Sequence, residues 1–156
     1  YLDKKGWGAS MMMYGAILLT ISHLIFALVP SESFTTAVAL GTIVILGVAF
    51  SLVPASMWPS LPKVVEDRYL GSAYGLTFWI QNMGLFGVPI LIGWALSASN
   101  PGVSDLIAGG DTTAKYNYMV PELIFAGFGL LAFGLSFFLK YVDRKNGYGL
   151  ELPNKK

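Results

Sequence analysis

The 156-residue sequence contains no cysteine and only one histidine. The missing cysteine excludes disulfide bonds, thiolate metal sites and a thiol nucleophile. Charged residues make up 12% of the chain, whereas a soluble domain usually carries about 25%. The formal net charge of +1 supplies no basic field for the phosphates of nucleic acids. The composition therefore excludes a soluble globular domain, a disordered chain and a nucleic-acid-binding protein.

The sequence also lacks the groups that enzyme chemistry needs. It contains no H-E-x-x-H pattern, no phosphate-cradling loop and no pair of Asp or Glu residues within an apolar run. We therefore predict that the chain is not an enzyme and has no catalytic residues, no metal site and no cofactor.

Four long apolar runs separate the few charges. Residues 6–31, 33–62, 69–104 and 123–139 contain no Asp, Glu, Lys or Arg. A helix needs roughly 20 apolar residues to cross a bilayer, and the fourth run reaches this length with its flanking residues. The runs are continuous, unlike the short alternating strands of a barrel, so they predict helices. We predict an all-α, polytopic membrane protein with four transmembrane helices, at about residues 7–29, 34–61, 70–97 and 118–141, followed by a tail at about 142–156. Ser33 is the predicted N-cap of the second helix.

The positive residues indicate the orientation of these helices. Of the ten Lys and Arg residues, all except Lys115 lie at the N-terminal flank, in the loop between the second and third helices, or in the C-terminal flank and tail. Lys and Arg near the ends of membrane helices remain on the cytoplasmic side. The pattern predicts a multi-pass protein of the cell (inner) membrane with both ends of this chain in the cytoplasm.

Four short stretches resemble a known group of transporters. Leu2-Asp3-Lys4-Lys5-Gly6 resembles a short cytoplasmic-loop motif of the major facilitator superfamily. Within that superfamily, Trp58-Pro59, the L-G-S-A-Y-G string of residues 70–75 and the I-Q-N-M-G-L string of residues 80–85 resemble the major facilitator superfamily domain-containing protein 1 family. The animal members of that family are lysosomal dipeptide transporters, so the resemblance implies a lysosomal membrane if the source is an animal.

The resemblance implies an architecture and a function. Residues 1–156 would form the C-terminal part of a twelve-helix transporter, from helix nine to helix twelve, and the second helix would line the central cavity. The partners would be a small-molecule substrate, the lipid bilayer and the missing N-terminal half of the same transporter. A small organic solute, such as a dipeptide, would cross by alternating access. The alternative is a self-contained four-helix membrane scaffold or interaction protein.

Three residues are candidate substrate contacts. Trp58 offers an aromatic face and an indole N–H, which suit an amine or a carbonyl, but Trp is also common in the interfacial belt of membrane proteins. Gln81 and Asn82 lie in the middle of the third helix. Their amides suit either a substrate or a hydrogen bond to a neighbouring helix.

Three further residues are candidates for helix packing and gating. Gly71 and Gly75 form a G-x-x-x-G spacing, which allows two membrane helices to approach closely. Asp3 is expected to accept hydrogen bonds from a helix of the opposite half and so to latch the cytoplasmic side, with Lys63, Glu66, Asp67 and Arg68 as possible participants. A solvated loop with weak surface pairs explains the same charges.

The single histidine and one acidic residue complete the candidates. His23 lies within the first helix, where an ionisable group suits a proton relay, but we expect a neutral ring that is hydrogen-bonded to Thr20 and Ser22. Glu122 follows Pro121 at the start of the last helix. Its carboxylate is favoured there by the helix dipole, and proton coupling is the competing interpretation.

Overall fold

The computed structural model describes residues 2–30 and 33–153, except for the side chains of Leu2 and Asp3. The described residues form helices and loops and contain no strand. In chain order the elements are α1 (Leu2–Lys5), α2 (Gly8–Leu28), α3 (Thr36–Val64), a 3-10 turn (Asp67–Tyr69), α4 (Leu70–Ser99), α5 (Val103–Ala108) and α6 (Met119–Asn146). α2, α3, α4 and α6 are long and apolar enough to cross a membrane. The predicted all-α, multi-pass membrane fold is confirmed.

Two helix boundaries differ from the predicted ones for local reasons. The prediction of Ser33 as N-cap is wrong, because Thr35 has the extended cap conformation and its Oγ1 accepts a hydrogen bond from the Val38 N–H at 3.4 Å. α6 continues to Asn146 and ends at Gly147, which has a φ of 71°. The Gly147 N–H donates to the Asp143 carbonyl at 2.7 Å, as in a left-handed C-cap.

α2 is the central helix of the described bundle, with α3 packed along one side and α6 along the other. Small residues make both contacts close. A Cβ atom on Gly15 would lie 2.8 Å from a methyl carbon of Val53 in α3. A Cβ atom on Gly129 of α6 would collide with the Thr20 hydroxyl of α2. Such small-residue contacts are the usual way in which helices associate within lipid.

α4 is attached much more loosely. It touches α3 and α6 at only a few places, and none of its most apolar 18-residue window is buried. One attachment lies near its first turns, where its aromatic residues meet Trp58. The other lies at its end, where the Asn100 amide donates to the Asn117 carbonyl at 2.9 Å and accepts from the Asn117 N–H at 2.7 Å. The middle of α4 therefore presents an open apolar surface.

Candidate functional site

The site is built on a proline-rich part of α3. Pro54, Pro59 and Pro62 all lie inside this helix. A proline has no N–H, so the carbonyl four residues earlier loses its helical partner. For Pro62 that carbonyl belongs to Trp58, and the Tyr74 hydroxyl of α4 donates to it at 3.4 Å. The proline pattern thus creates an acceptor that a residue of the neighbouring helix uses.

Aromatic rings surround the Trp58 side chain. The indole is half-buried, with its centroid 4.7 Å from the Phe78 ring and 5.9 Å from the Tyr74 ring. These spacings lie within the range of favourable aromatic pairs. The three residues, Trp58, Tyr74 and Phe78, form the aromatic cluster that joins α3 to α4.

A cavity of about 540 Å³ opens beside this cluster between α2, α3, α4 and α6. Trp58 and Gln81 both line it, so the structure brings together two of the three candidate substrate contacts. Asn82 does not line this cavity. It is exposed, and its amide donates to the Phe78 carbonyl of its own helix at 2.8 Å.

The cavity offers apolar and uncharged polar groups to a ligand. Its lining is mostly aliphatic and aromatic, and the described lining residues include no ionisable side chain. Thr77 already donates its hydroxyl to the Ala73 carbonyl at 2.8 Å, whereas Gln81 has no hydrogen-bond partner among the described residues. The Gln81 amide and the Trp58 ring are therefore the groups with free capacity for recognition, and they provide no counter-ion.

The candidate packing glycines lie on the open surface of α4. Gly71 and Gly75 are exposed, and a Cβ atom on either would meet nothing within 4 Å. The same is true of Gly84, Gly87 and Gly93. A close helix contact at Gly71 and Gly75 thus stays a prediction, because no described helix covers this face.

The prediction for the partners of His23 is wrong. Thr20 and Ser22 donate their hydroxyls to the Ala16 and Leu18 carbonyls of α2, as hydroxyls within helices often do. His23 instead places Nδ1 2.7 Å from Oε2 of Glu122 in α6.

The His23–Glu122 pair is mostly shielded. The two side chains retain 13% and 22% of their exposure, and the imidazole stacks on the Phe125 ring with centroids 5.0 Å apart. A carboxylate only accepts hydrogen bonds, so Nδ1 carries the hydrogen when Glu122 is ionised. An ionisable side chain inside a membrane helix needs a partner, and this rule was the signal that could have linked the two residues.

The candidate latch charges have separate partners. Glu66 and Arg68 pair with each other at 2.8 Å on the surface, where both side chains are 68% exposed. The Lys63 ammonium donates to the Gly149 and Leu152 carbonyls at 3.1 and 2.7 Å. The side chain of Asp3 lies outside the described residues, so its role in a latch stays a prediction.

Sequence reasoning also missed a polar cluster formed by the segment after α6. Ser10 of α2 donates both its N–H and its hydroxyl to the Glu151 carboxylate, at 2.8 and 2.9 Å. Lys140 donates to the same Ser10 hydroxyl, and Asp143 accepts from the Leu150 N–H at 3.0 Å. No local pattern predicts this cluster, because its partners are up to 141 residues apart in the chain.

These features define a class: a multi-pass α-helical membrane protein with an apolar cavity between its helices. No family model matches the chain, and no solved structure matches it.

Within this class the chain is similar to curated transporters. It is 31% identical to the lysosomal dipeptide transporter MFSD1 of Mus musculus over 97 residues, which are 62% of the chain and 20% of the mouse protein. It is 34% identical to the Danio rerio MFSD1 over 92 residues, 59% of the chain and 19% of that relative. The human MFSD1 is 30% identical over 97 residues, with coverages of 62% and 20%.

The comparisons confirm the resemblance to this branch. The matched region spans about a fifth of the length of these relatives. Their names describe transporters rather than enzymes, which agrees with the prediction that the chain is not an enzyme.

Proposed function

We propose that this chain forms part of a secondary transporter that moves a small organic solute of the dipeptide class by alternating access. The similarity to the MFSD1 transporters carries this proposal. In such a protein, further helices would pack on the open face of α4 and complete the pathway. The uncovered glycines of α4 and the much greater length of the relatives support this arrangement.

The cavity suits part of the recognition of a dipeptide. The Trp58 face and indole N–H can contact an ammonium group or a carbonyl, and the Gln81 amide can bind a peptide group. A zwitterionic dipeptide also requires counter-ions for its two termini. Since the described lining of this cavity is uncharged, we propose that the missing half of the transporter supplies them.

The direct test is uptake of labelled dipeptides into vesicles that contain the full-length protein. Uptake should saturate, unlabelled dipeptides should compete with it, and preloaded dipeptide should accelerate it by exchange. Parallel measurements with and without a pH gradient distinguish uniport from proton coupling. A protein that inserts correctly but moves no dipeptide and shows no exchange would contradict the proposal and favour a membrane scaffold.

We also propose the orientation that the positive residues predict, with both ends of the chain in the cytoplasm. The chain has no native cysteine, so single cysteines report position without background from this region. Ser104→Cys in α5 should react with an impermeant thiol reagent from the outside, whereas Lys145→Cys should react only after permeabilisation. The reverse pattern would invert the proposed topology.

A further inference from the structure

A narrow groove lies between α2 and α6 at the end of the bundle where α2 begins and α6 ends. Its volume is about 240 Å³, and it is lined by Met13 of α2 and by Phe137, Lys140, Tyr141 and Arg144 of α6. We name it the α2–α6 groove. Pockets that enclose a whole small ligand usually measure about 300–1,000 Å³, so this groove suits one part of a longer molecule.

The α2–α6 groove faces away from the cavity beside Trp58. Phe128 and Ala132 are the α6 residues that line that cavity, together with residues of α4. Since an α-helix turns about 100° per residue, the α6 residues of the groove lie about 150° around the helix axis from these two. Helices packed on the open face of α4 would therefore leave the groove open to lipid.

The groove combines a polar end with an apolar track. The charge-free run of α6 ends just before Lys140, so this residue marks the edge of the apolar layer. Ile17 lies one turn deeper than Met13 on α2, and Leu130 lies two turns deeper than Phe137 on α6. Both Ile17 and Leu130 are exposed. This arrangement matches an amphiphile, because it has charges at the interface and apolar side chains below them.

The two cations of the groove differ in what they already bind. The Lys140 ammonium donates to the Ser10 hydroxyl and lies 3.9 Å from Oε1 of Glu151. The Arg144 side chain is exposed and makes no hydrogen bond or ion pair with any described residue. The carboxylates of Asp143 and Glu151 line a neighbouring cavity, which Lys140 and Arg144 also border, but they do not line the groove. The Arg144 guanidinium is therefore available to an anion, and Lys140 adds a second positive charge that Glu151 partly neutralises.

We propose that the α2–α6 groove binds an anionic phospholipid, with the phosphate on the Arg144 guanidinium and the acyl chains along Ile17 and Leu130. A guanidinium donates two parallel hydrogen bonds to a phosphate, and basic pockets between membrane helices suit anionic headgroups. None of the described lining residues is acidic, so the groove offers no counter-ion to the ammonium of a zwitterionic lipid. A bound lipid would bridge α2 and α6, and the proposed orientation places it in the cytoplasmic leaflet, where anionic lipids are concentrated.

The position of Arg144 at the end of a helix gives a second explanation for its charge. Arg144 and Lys145 both lie in the last turn of α6, where a positive charge complements the helix dipole. Lys145 is rotated about 100° around the helix axis from Arg144, and it does not line the groove. Lys145→Gln is therefore the matched control for Arg144→Gln, because each variant removes one charge from the same turn.

The test measures which lipid lies beside the groove. Full-length protein with a single fluorescently labelled cysteine, in a background without other cysteines, is placed in nanodiscs of phosphatidylcholine and phosphatidylglycerol. Lipids with brominated acyl chains quench a nearby fluorophore, so the ratio of quenching by brominated phosphatidylglycerol to quenching by brominated phosphatidylcholine measures the local preference. Ile17→Cys reports on the proposed acyl track, and Leu131→Cys reports on an exposed part of α6 outside it. A salt concentration of about 0.15 M limits diffuse electrostatic attraction to about 8 Å.

The expected preference is largest in the unmodified protein. At Ile17→Cys, phosphatidylglycerol should be preferred by at least about fivefold, whereas Leu131→Cys should show little preference. Arg144→Gln should lower the preference at Ile17→Cys by about fivefold, which is the usual effect of one cation near an anionic lipid. Lys145→Gln should change it by less than about twofold, because this charge lies outside the groove and is screened by the salt.

Three results would overturn the inference. Equal losses in Arg144→Gln and Lys145→Gln would assign the preference to the general charge at this end of α6. The same preference at Ile17→Cys and Leu131→Cys would show that the groove selects no lipid, and this comparison does not require any charge variant to fold. Relief of quenching by glycerol phosphate at millimolar concentration would show that the groove takes a soluble phosphate compound instead of a lipid. These measurements need no transport, so their outcome is independent of the proposed function.

Discussion

Breaking the His23–Glu122 pair should destabilise the bundle much more than breaking the surface pair of Glu66 with Arg68. The two pairs have nearly the same length, 2.7 and 2.8 Å. Their burial differs, because the first pair retains 13% and 22% of its side-chain exposure and the second retains 68% on both sides. Burial is therefore one clear difference between the two pairs, alongside the exchange of an imidazole for a guanidinium.

The expected magnitudes follow from this difference. A hydrogen bond to a charged group contributes about 1.5–3 kcal/mol, and removing one partner of a fully buried ion pair costs about 3–5 kcal/mol. Since His23 and Glu122 keep some exposure, we expect Glu122→Ala to lower the free energy of unfolding by about 2–3 kcal/mol. Glu122→Gln should cost about 1 kcal/mol, because its amide oxygen still accepts from Nδ1. Glu66→Ala should cost about 0–1 kcal/mol.

A double-mutant cycle in detergent micelles provides the measurement. His23→Phe retains an aromatic ring against Phe125 but removes the hydrogen bond, so the cycle with Glu122→Ala reports the pair itself. We expect a coupling energy of about 1–2 kcal/mol, within the range for residues in direct contact. A coupling near zero, or equal losses for Glu122→Ala and Glu66→Ala, would refute the argument that burial makes this pair stabilising.

Three further predictions concern packing and recognition. Gly129→Ala should destabilise the bundle by about 1–3 kcal/mol in the same unfolding assay, because its new methyl group would collide with α2. Gly127→Ala has open space around it and should be neutral or slightly stabilising, so equal effects of the two variants would contradict the observed packing. Gly75→Leu should abolish transport while membrane insertion is retained, since it fills the expected close approach to the missing half; normal uptake would show that this face contacts lipid. Trp58→Ala should weaken dipeptide affinity by up to about thirtyfold, the equivalent of about 2 kcal/mol. Trp58→Phe should weaken it less, because it keeps an aromatic face, and undiminished affinity in the Ala variant would assign Trp58 to the interfacial belt.

The membrane helices were predictable because lipid imposes a simple rule on sequence. Each span needs a long apolar run, and the charges that interrupt these runs mark the loops. Predicted and observed boundaries agree within three residues except at the end of α6, which continues five residues past residue 141. That difference has a physical cause. The predicted end followed the apolar run, whereas the observed end is set by the left-handed conformation of Gly147.

The contacts between distant residues were much harder to predict. The sequence identifies His23 as a group that needs a partner, but Thr20 and Ser22 are nearer in the chain than Glu122. Both hydroxyls donate instead to carbonyls of their own helix, and His23 pairs with Glu122. The polar cluster around Glu151 has no local signature, because its acceptors become available to α2 only after the chain has reversed at Gly147 and Gly149.

The glycines show most clearly that a sequence pattern does not identify the helix against which it packs. A Cβ atom on Gly15 or Gly129 would lie too close to a neighbouring helix, whereas one on Gly71 or Gly75 would meet nothing within 4 Å. Both kinds occur in apolar helices and look alike in the sequence. The difference is that α2 is packed on two sides, while α4 is tethered near its ends and uncovered between them. Gln81 lies between these tethers, where the cavity opens and where additional helices would bring their side chains toward it. The described helices offer this cavity no charged group, so under the proposed function the counter-ions for a dipeptide would come from helices that pack on α4.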